Sequence, residues 1–175
     1  MKKIIAFAGS TSSTSINKQL VTYTTSLLND VETRILDLND YPLPVFSIDL
    51  EKEGFPKEVS NFMDELKQAD GFIVSLAEHN GSVTAAFKNI LDWTSRMELQ
   101  FFFNKPMLLM STSGGSRAAK LAFEFGEMRL PRHGAVIAST FSLPSFYENF
   151  AEGKIIDKDL DNELKKALIT FENSL

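Results

Sequence analysis

Apolar residues gather in five short, near-continuous runs, at Lys3–Ala8, Thr33–Leu36, Gly71–Leu76, Met107–Ser111 and Ala135–Thr140, and each reads as a β-strand. Runs such as Ile4-Ile5-Ala6-Phe7-Ala8 and Phe72-Ile73-Val74 lack polar alternation, so both faces of these strands are expected to be covered, as in a parallel sheet flanked by helices. Helix-compatible segments lie between most of the runs. Ser15 ahead of Ile16 and Leu20, Ser82 ahead of Val83–Phe87, and Asp159 ahead of Leu160, Leu164 and Leu168 are the expected N-caps. Glu58–Gln68 carries Val59, Phe62, Met63 and Leu66 at helical spacing, with Pro56 near its first turn. The pattern predicts an α/β fold, an open five-stranded parallel sheet with helices on both faces, formed by residues 1–175 as one domain. Asp40–Gly54 breaks the alternation. Pro42, Pro44 and the exit Gly54-Phe55-Pro56 predict a long surface loop, either a solvated connector or a cover for a ligand or a second subunit.

Charge and composition narrow the function. Eighteen Lys and Arg against 23 Asp and Glu leave a net charge of -5, which argues against a sequence-independent hold on nucleic acid. The chain has no Cys, so thiolate metal sites, Cys nucleophiles and dithiol exchange are excluded, and redox chemistry requires a bound cofactor. With only His79 and His133 and no clustered carboxylates, no metal site is expected. The start Met1-Lys2-Lys3 before Ile4–Ala8 is too short an apolar run for a signal peptide and lacks a cleavage site. No stretch approaches the roughly 20 apolar residues of a membrane span, so a cytoplasmic protein without membrane association is expected.

Ligands of open α/β sheets bind beyond the carboxyl ends of the strands, where strand order reverses. Three loops take that position. Gly9–Asn17 holds one Gly and six Ser/Thr before Ile16, matching neither the three-glycine dinucleotide fingerprint nor a P-loop. Its hydroxyls, with the N-terminus of the following helix, suit a phosphate monoester, and Ser10, Ser12, Ser15 and Asn17 are the natural donors; a plain turn capped by Ser15 is the other reading. Ala77–Ser82 offers Gly81 for close approach to a flat ligand and His79 as a proton donor, a stacking group or a surface residue. Thr112–Arg117 supplies Gly114, Gly115 and further hydroxyls, with Arg117 and Lys120 as candidate attractors of a dinucleotide phosphate. No Gly-x-Ser-x-Gly elbow supports a hydrolase, and no acidic cluster supports a receiver domain.

Two motifs then resemble the NAD(P)H-dependent FMN reductase family of flavodoxin-like proteins, which includes quinone, chromate and azo-dye reductases. Gly9, Ser10, Ser15 and Asn17 echo its Gly-Ser-x-Arg-x-x-Ser-x-Asn loop, with Ser12 in place of Arg. Ala77-Glu78-His79-Asn80-Gly81-Ser82, followed by Lys88-Asn89-Ile90-Leu91-Asp92-Trp93-Thr94-Ser95-Arg96, is similar to its Pro-Glu-Tyr-Asn-Gly-Ser and Lys-Asn-x-x-Asp-Trp-x-Ser-Arg. The resemblance implies strand order 2-1-3-4-5 and FMN as cofactor. It implies Ser10, Ser12, Ser15, Ile16 and Asn17 at the FMN phosphate, Ala77, Glu78, His79, Asn80 and Gly81 along the isoalloxazine, and Ser113, Gly114 and Gly115 on its far side. It implies hydride from NADPH or NADH, a small-molecule electron acceptor such as a quinone or free flavin, and no catalytic acid or base from the chain. It also implies a homodimer or homotetramer, with the helix bearing Asn89, Asp92 and Trp93 near the subunit contact; Trp93 as ordinary core is the other reading. A flavodoxin-like electron carrier serving a protein partner is the alternative function. The departures at Ser12, His79 and Ala77 bear on flavin affinity and nucleotide preference.

Overall fold

The computed structural model describes residues 1–175. In chain order the elements are β1 (Lys2–Ala8), α1 (Ile16–Ser26), β2 (Val31–Leu36), a 3-10 turn (Leu38–Asp40), α2 (Ile48–Glu53), α3 (Lys57–Lys67), β3 (Gly71–Leu76), β4 (Glu78–His79) and β5 (Ser82–Val83). There follow α4 (Ala85–Met97), β6 (Lys105–Thr112), α5 (Lys120–Arg129), a second 3-10 turn (Leu130–His133), β7 (Ala135–Leu143), α6 (Phe146–Asn149), β8 (Phe150–Ala151), β9 (Lys154–Ile155) and α7 (Lys158–Glu172). Five parallel strands form the main sheet in the order β2-β1-β3-β6-β7. Counting only these strands, that is the expected 2-1-3-4-5.

Alternate residues of each central strand point to opposite faces, and both faces are dry. Ile5, Phe7, Phe72, Val74, Met107 and Leu109 pack with Phe62, Met63 and Leu66 of α3 and with Phe87, Ile90 and Leu91 of α4. Their neighbours Ile4, Ala6, Ile73, Leu108 and Met110 pack with Leu20 and Val21 of α1 and with Leu164, Leu168 and Phe171 of α7. The strand sequences are continuously apolar because each strand feeds two cores. Edge strand β2 instead exposes Glu32, Thr33 and Arg34.

Several local expectations change. Thr84, not Ser82, caps α4: its hydroxyl oxygen accepts from Phe87 N–H at 3.1 Å, while its O–H donates to the Gly9 carbonyl at 2.8 Å. Ser82 lies in β5, pairing with His79 across a two-residue Asn80-Gly81 turn. Both turn residues have positive φ, 50° and 74°, the geometry for which Asn-Gly is favoured. Asp157, not Asp159, caps α7, accepting from Asp159 and Leu160 N–H. Asp40–Gly54 is not all loop. Ser47 caps the short helix α2 inside it, and Gly54 ends that helix.

Candidate functional site

The chain leaves β1 for β2 on one side and later β3 on the other, so strand order reverses between β1 and β3. A cleft of about 270 Å³ opens at the carboxyl ends of β1, β3 and β6. All three expected loops reach it. Ser10, Ser12, Ser15, Ile16 and Asn17 line it from the first, Ala77, Glu78 and His79 from the second, and Ser113 and Gly114 from the third. Asn80 and Gly81 form the hairpin tip and, with Gly115, stand outside the lining. Thr14 and Thr112, members of the first and third loops, line it too, and Tyr147 lines it from outside the three expected loops. Tyr147 follows β7, whose carboxyl end sits on the same edge, and that placement was the signal available for it.

The first loop is wound so that its donors face outward. An α-helix leaves its first N–H groups without intrahelical partners. At α1, Ser15 N–H donates to the Ser12 carbonyl at 3.1 Å and Lys18 N–H to Ser15 Oγ at 3.1 Å. The N–H groups of Ile16 and Asn17 make no bond within the protein. Ser10 Oγ accepts from Ser12 N–H at 3.2 Å and Ser12 Oγ from Thr14 N–H at 3.3 Å. Each of these hydroxyls uses its oxygen to hold the turn; Ser10 keeps its proton for an acceptor, and Ser12 Oγ also lies 3.4 Å from Thr14 Oγ1. No Lys or Arg side chain lines the cleft. Lys18, the nearest in sequence, is paired with Asp37 at 2.5 Å and holds that carboxyl below its ordinary value of 3.8. An anion here would be met by hydrogen bonds and the helix dipole rather than by a cation.

Asn17 turns inward. Its Oδ1 accepts from Ser75 Oγ at 2.7 Å and from Thr112 N–H at 3.1 Å, and its Nδ2 donates to the Thr112 carbonyl at 3.2 Å. The buried amide ties the first loop to the ends of β3 and β6. Glu78 is also engaged within the chain. Its Oε2 accepts from the N–H groups of Leu121 at 2.8 Å and Ala122 at 3.1 Å, capping α5, whose own N-cap residue Ala119 has no capping side chain. Glu78 thereby joins the β4–β5 hairpin to the helix that follows the glycine loop.

The residues from Asn89 to Arg96 face their own chain. Asn89 Nδ2 donates to the carbonyls of Leu43 at 3.3 Å and Pro44 at 3.0 Å, and its Oδ1 accepts from Phe46 N–H at 2.8 Å. Fully buried Trp93 donates from Nε1 to the same Pro44 carbonyl at 2.8 Å, and Arg96 pairs with Glu51 at 2.8 Å. Residues four and three apart share one helix face, so this stripe clasps residues 43–51 as a strap along α4. Asp92 pairs with Lys88 on the same helix. Arg117 and Lys120 stand outside the cleft lining.

An open parallel sheet with an outward-facing donor loop at its switch point defines a flavodoxin-like protein. The family profile described as NADPH-dependent FMN reductase matches residues 2–147. The chain belongs to that family, and it is an FMN-dependent NAD(P)H oxidoreductase. It is 26% identical to an NADPH:quinone oxidoreductase of Arabidopsis thaliana over 97% of this chain and 90% of the relative. It is 29% identical to an NAD(P)H-dependent FMN reductase of Pseudomonas aeruginosa over 65% of this chain and 60% of the relative. Among solved structures, the flavoenzyme NAD(P)H:(acceptor) oxidoreductase FerB of Paracoccus denitrificans superimposes with a TM-score of 0.76 at 25% identity, covering 99% of each chain.

Proposed function

We propose that the cleft at the ends of β1, β3 and β6 holds FMN with its phosphate on the first turn of α1, and that a quinone or free flavin is the electron acceptor. The observation that carries this reading is the pair of unpartnered N–H groups at Ile16 and Asn17, surrounded by the hydroxyls of Ser10, Ser12 and Ser15. Two backbone donors and the surrounding hydroxyls suit the oxygens of a phosphate dianion, and the helix N-terminus favours its charge.

When bound, FMN accepts hydride from a reduced nicotinamide and passes electrons to the acceptor. The chain supplies placement. The α1 terminus anchors the phosphate, Asn17 fixes that terminus against β3 and β6, and Glu78 fixes the hairpin against α5. None of these groups has to gain or lose a proton for this work. A homodimer or homotetramer accords with the exposed Val45 and Ile48 on the strap beside α4. A cytoplasmic location accords with the absence of any helix long and apolar enough to cross a membrane.

Titration of flavin-free protein with FMN, followed by NADH and NADPH oxidation with a panel of quinones and free flavins, tests the reading. Saturable quenching of flavin fluorescence and steady turnover without a second protein are expected. Absence of flavin binding would overturn the site, and turnover only with an added protein partner would overturn the acceptor class. Because no cation lines the cleft, FMN affinity should change little with added salt.

A further inference from the structure

The cleft is rich in hydroxyls and backbone, yet a flavin presents a broad flat ring that needs apolar cover. His79 and Tyr147 are the only aromatic side chains lining it. Tyr147 is 77% exposed, and the segment presenting it is firmly held. Ser145 sits in the left-handed region at φ 44°, an uncommon state for a non-glycine residue. Its N–H donates to the Gly115 carbonyl at 3.0 Å, and Phe146 N–H donates to the Ser113 carbonyl at 3.0 Å. Buried Phe146 stacks on Phe150 with ring centres 4.6 Å apart. Tyr147 lies directly against Gly114, where a Cβ would come within 3.0 Å of its ring. The absence of a side chain at Gly114 is what lets the phenol rest against the glycine loop.

A left-handed Ser, two bonds to the glycine loop and a buried stacked anchor hold one exposed aromatic ring beside a polar cleft. Such strain is maintained where a side chain must be aimed. We propose that Tyr147 is a cofactor-contact residue whose ring covers the FMN bound in the cleft and shields its outer side from water. This assignment rests on the FMN reading above.

The test compares wild type with Tyr147→Phe, Tyr147→Ala and His79→Ala, each freed of flavin and titrated with FMN while flavin fluorescence is followed. Tyr147→Phe keeps the ring and should bind within about twofold of wild type. Tyr147→Ala should weaken binding by about three- to tenfold, the range for loss of one aromatic contact, and should brighten the bound flavin. Because Tyr147 is exposed, the melting temperature of flavin-free Tyr147→Ala should match wild type, which separates contact from folding. Wild-type affinity and brightness in Tyr147→Ala would overturn the proposal, leaving the FMN site intact. Equal weakening in the Phe and Ala variants would overturn it in favour of the hydroxyl, and the full effect in His79→Ala with none in Tyr147→Ala would move the contact to the hairpin. Wild type that binds no FMN would overturn the site itself and this assignment with it.

Discussion

Asn17 and Asn89 do the same chemistry in two regions of the molecule. Each accepts through Oδ1 and donates through Nδ2, and each partner set is dominated by backbone remote in sequence. Their surroundings differ. Asn17 is 2% exposed and joins strand ends beneath the cleft, whereas Asn89 is half-buried and holds a strap on the outside of α4. Water already reaches the strap's bonds, whereas those of Asn17 are made by groups buried in the folded chain. The comparison teaches that burial of the partners, more than the number of bonds, sets what such an amide contributes.

The most severe break is Asn17→Ala. Ser75 Oγ and the backbone of Thr112 lose their buried partner, and a loss of about 3 kcal/mol is expected from desolvated groups left unpaired. Chemical denaturation measures it, and FMN affinity should fall as well because the α1 terminus is no longer fixed. Asn89→Ala should cost only about 1 kcal/mol, since water reaches the strap. Its FMN affinity should stay near wild type, while limited proteolysis within residues 43–51 accelerates. Equal stability losses in the two variants would break the comparison.

Glu78→Gln lies close behind, since a neutral oxygen can still accept from Leu121 and Ala122 without the charge that favours a helix N-terminus. A loss of about 0.5–1 kcal/mol is expected by denaturation, with Glu78→Ala losing more. Trp93→Phe removes a donor that shares the Pro44 carbonyl with Asn89, so its cost and that of Asn89→Ala should be non-additive in a double-mutant cycle.

The smallest effect tests the Lys18–Asp37 pair, which ties α1 to the exit of β2. Lys18, then the Asn39 N–H, depress the Asp37 carboxyl in the folded state. A carboxylate depressed on folding stabilises above its unfolded value and loses that contribution as pH falls through the folded one. Wild type should therefore lose stability below about pH 4 faster than Asp37→Asn, by less than about 1 kcal/mol because both side chains are partly exposed. Parallel pH profiles would remove the pair from the account.

The sheet was legible because its signal is local. Ile4–Ala8 and Phe72–Val74 are apolar at every position, and only a strand covered on both faces needs that. Ser15 was legible as the cap of α1 for the same reason, since its bond to Lys18 N–H lies three residues away. The cap of α4 was not. Ser82 and Thr84 both carry a hydroxyl, and Thr84 prevails because its O–H also reaches Gly9, 75 residues earlier. The Asn80-Gly81 hairpin escaped detection because two-residue strands show no alternation. The inward turn of the Asn17 side chain is not legible because its partner Thr112 lies 95 residues on, and the bonds of Asn89 and Trp93 to residues 43–46 are not legible because that strap has no pattern of its own.

The hairpin tip carries a consequence for how the protein ages. At Asn80-Gly81 the side-chain amide precedes a residue with no side chain to hinder attack, and both residues are exposed. The Gly81 nitrogen can close on the Asn80 carboxamide with loss of ammonia, and water then opens the ring to aspartate or its β-linked isomer. Either product adds a negative charge beside His79, and the β-linked one lengthens the backbone of a turn that fits two residues. The Asn-Gly pair that suits this turn thus also carries a chemical clock beside the cleft, one that runs in stored protein whether or not it turns over.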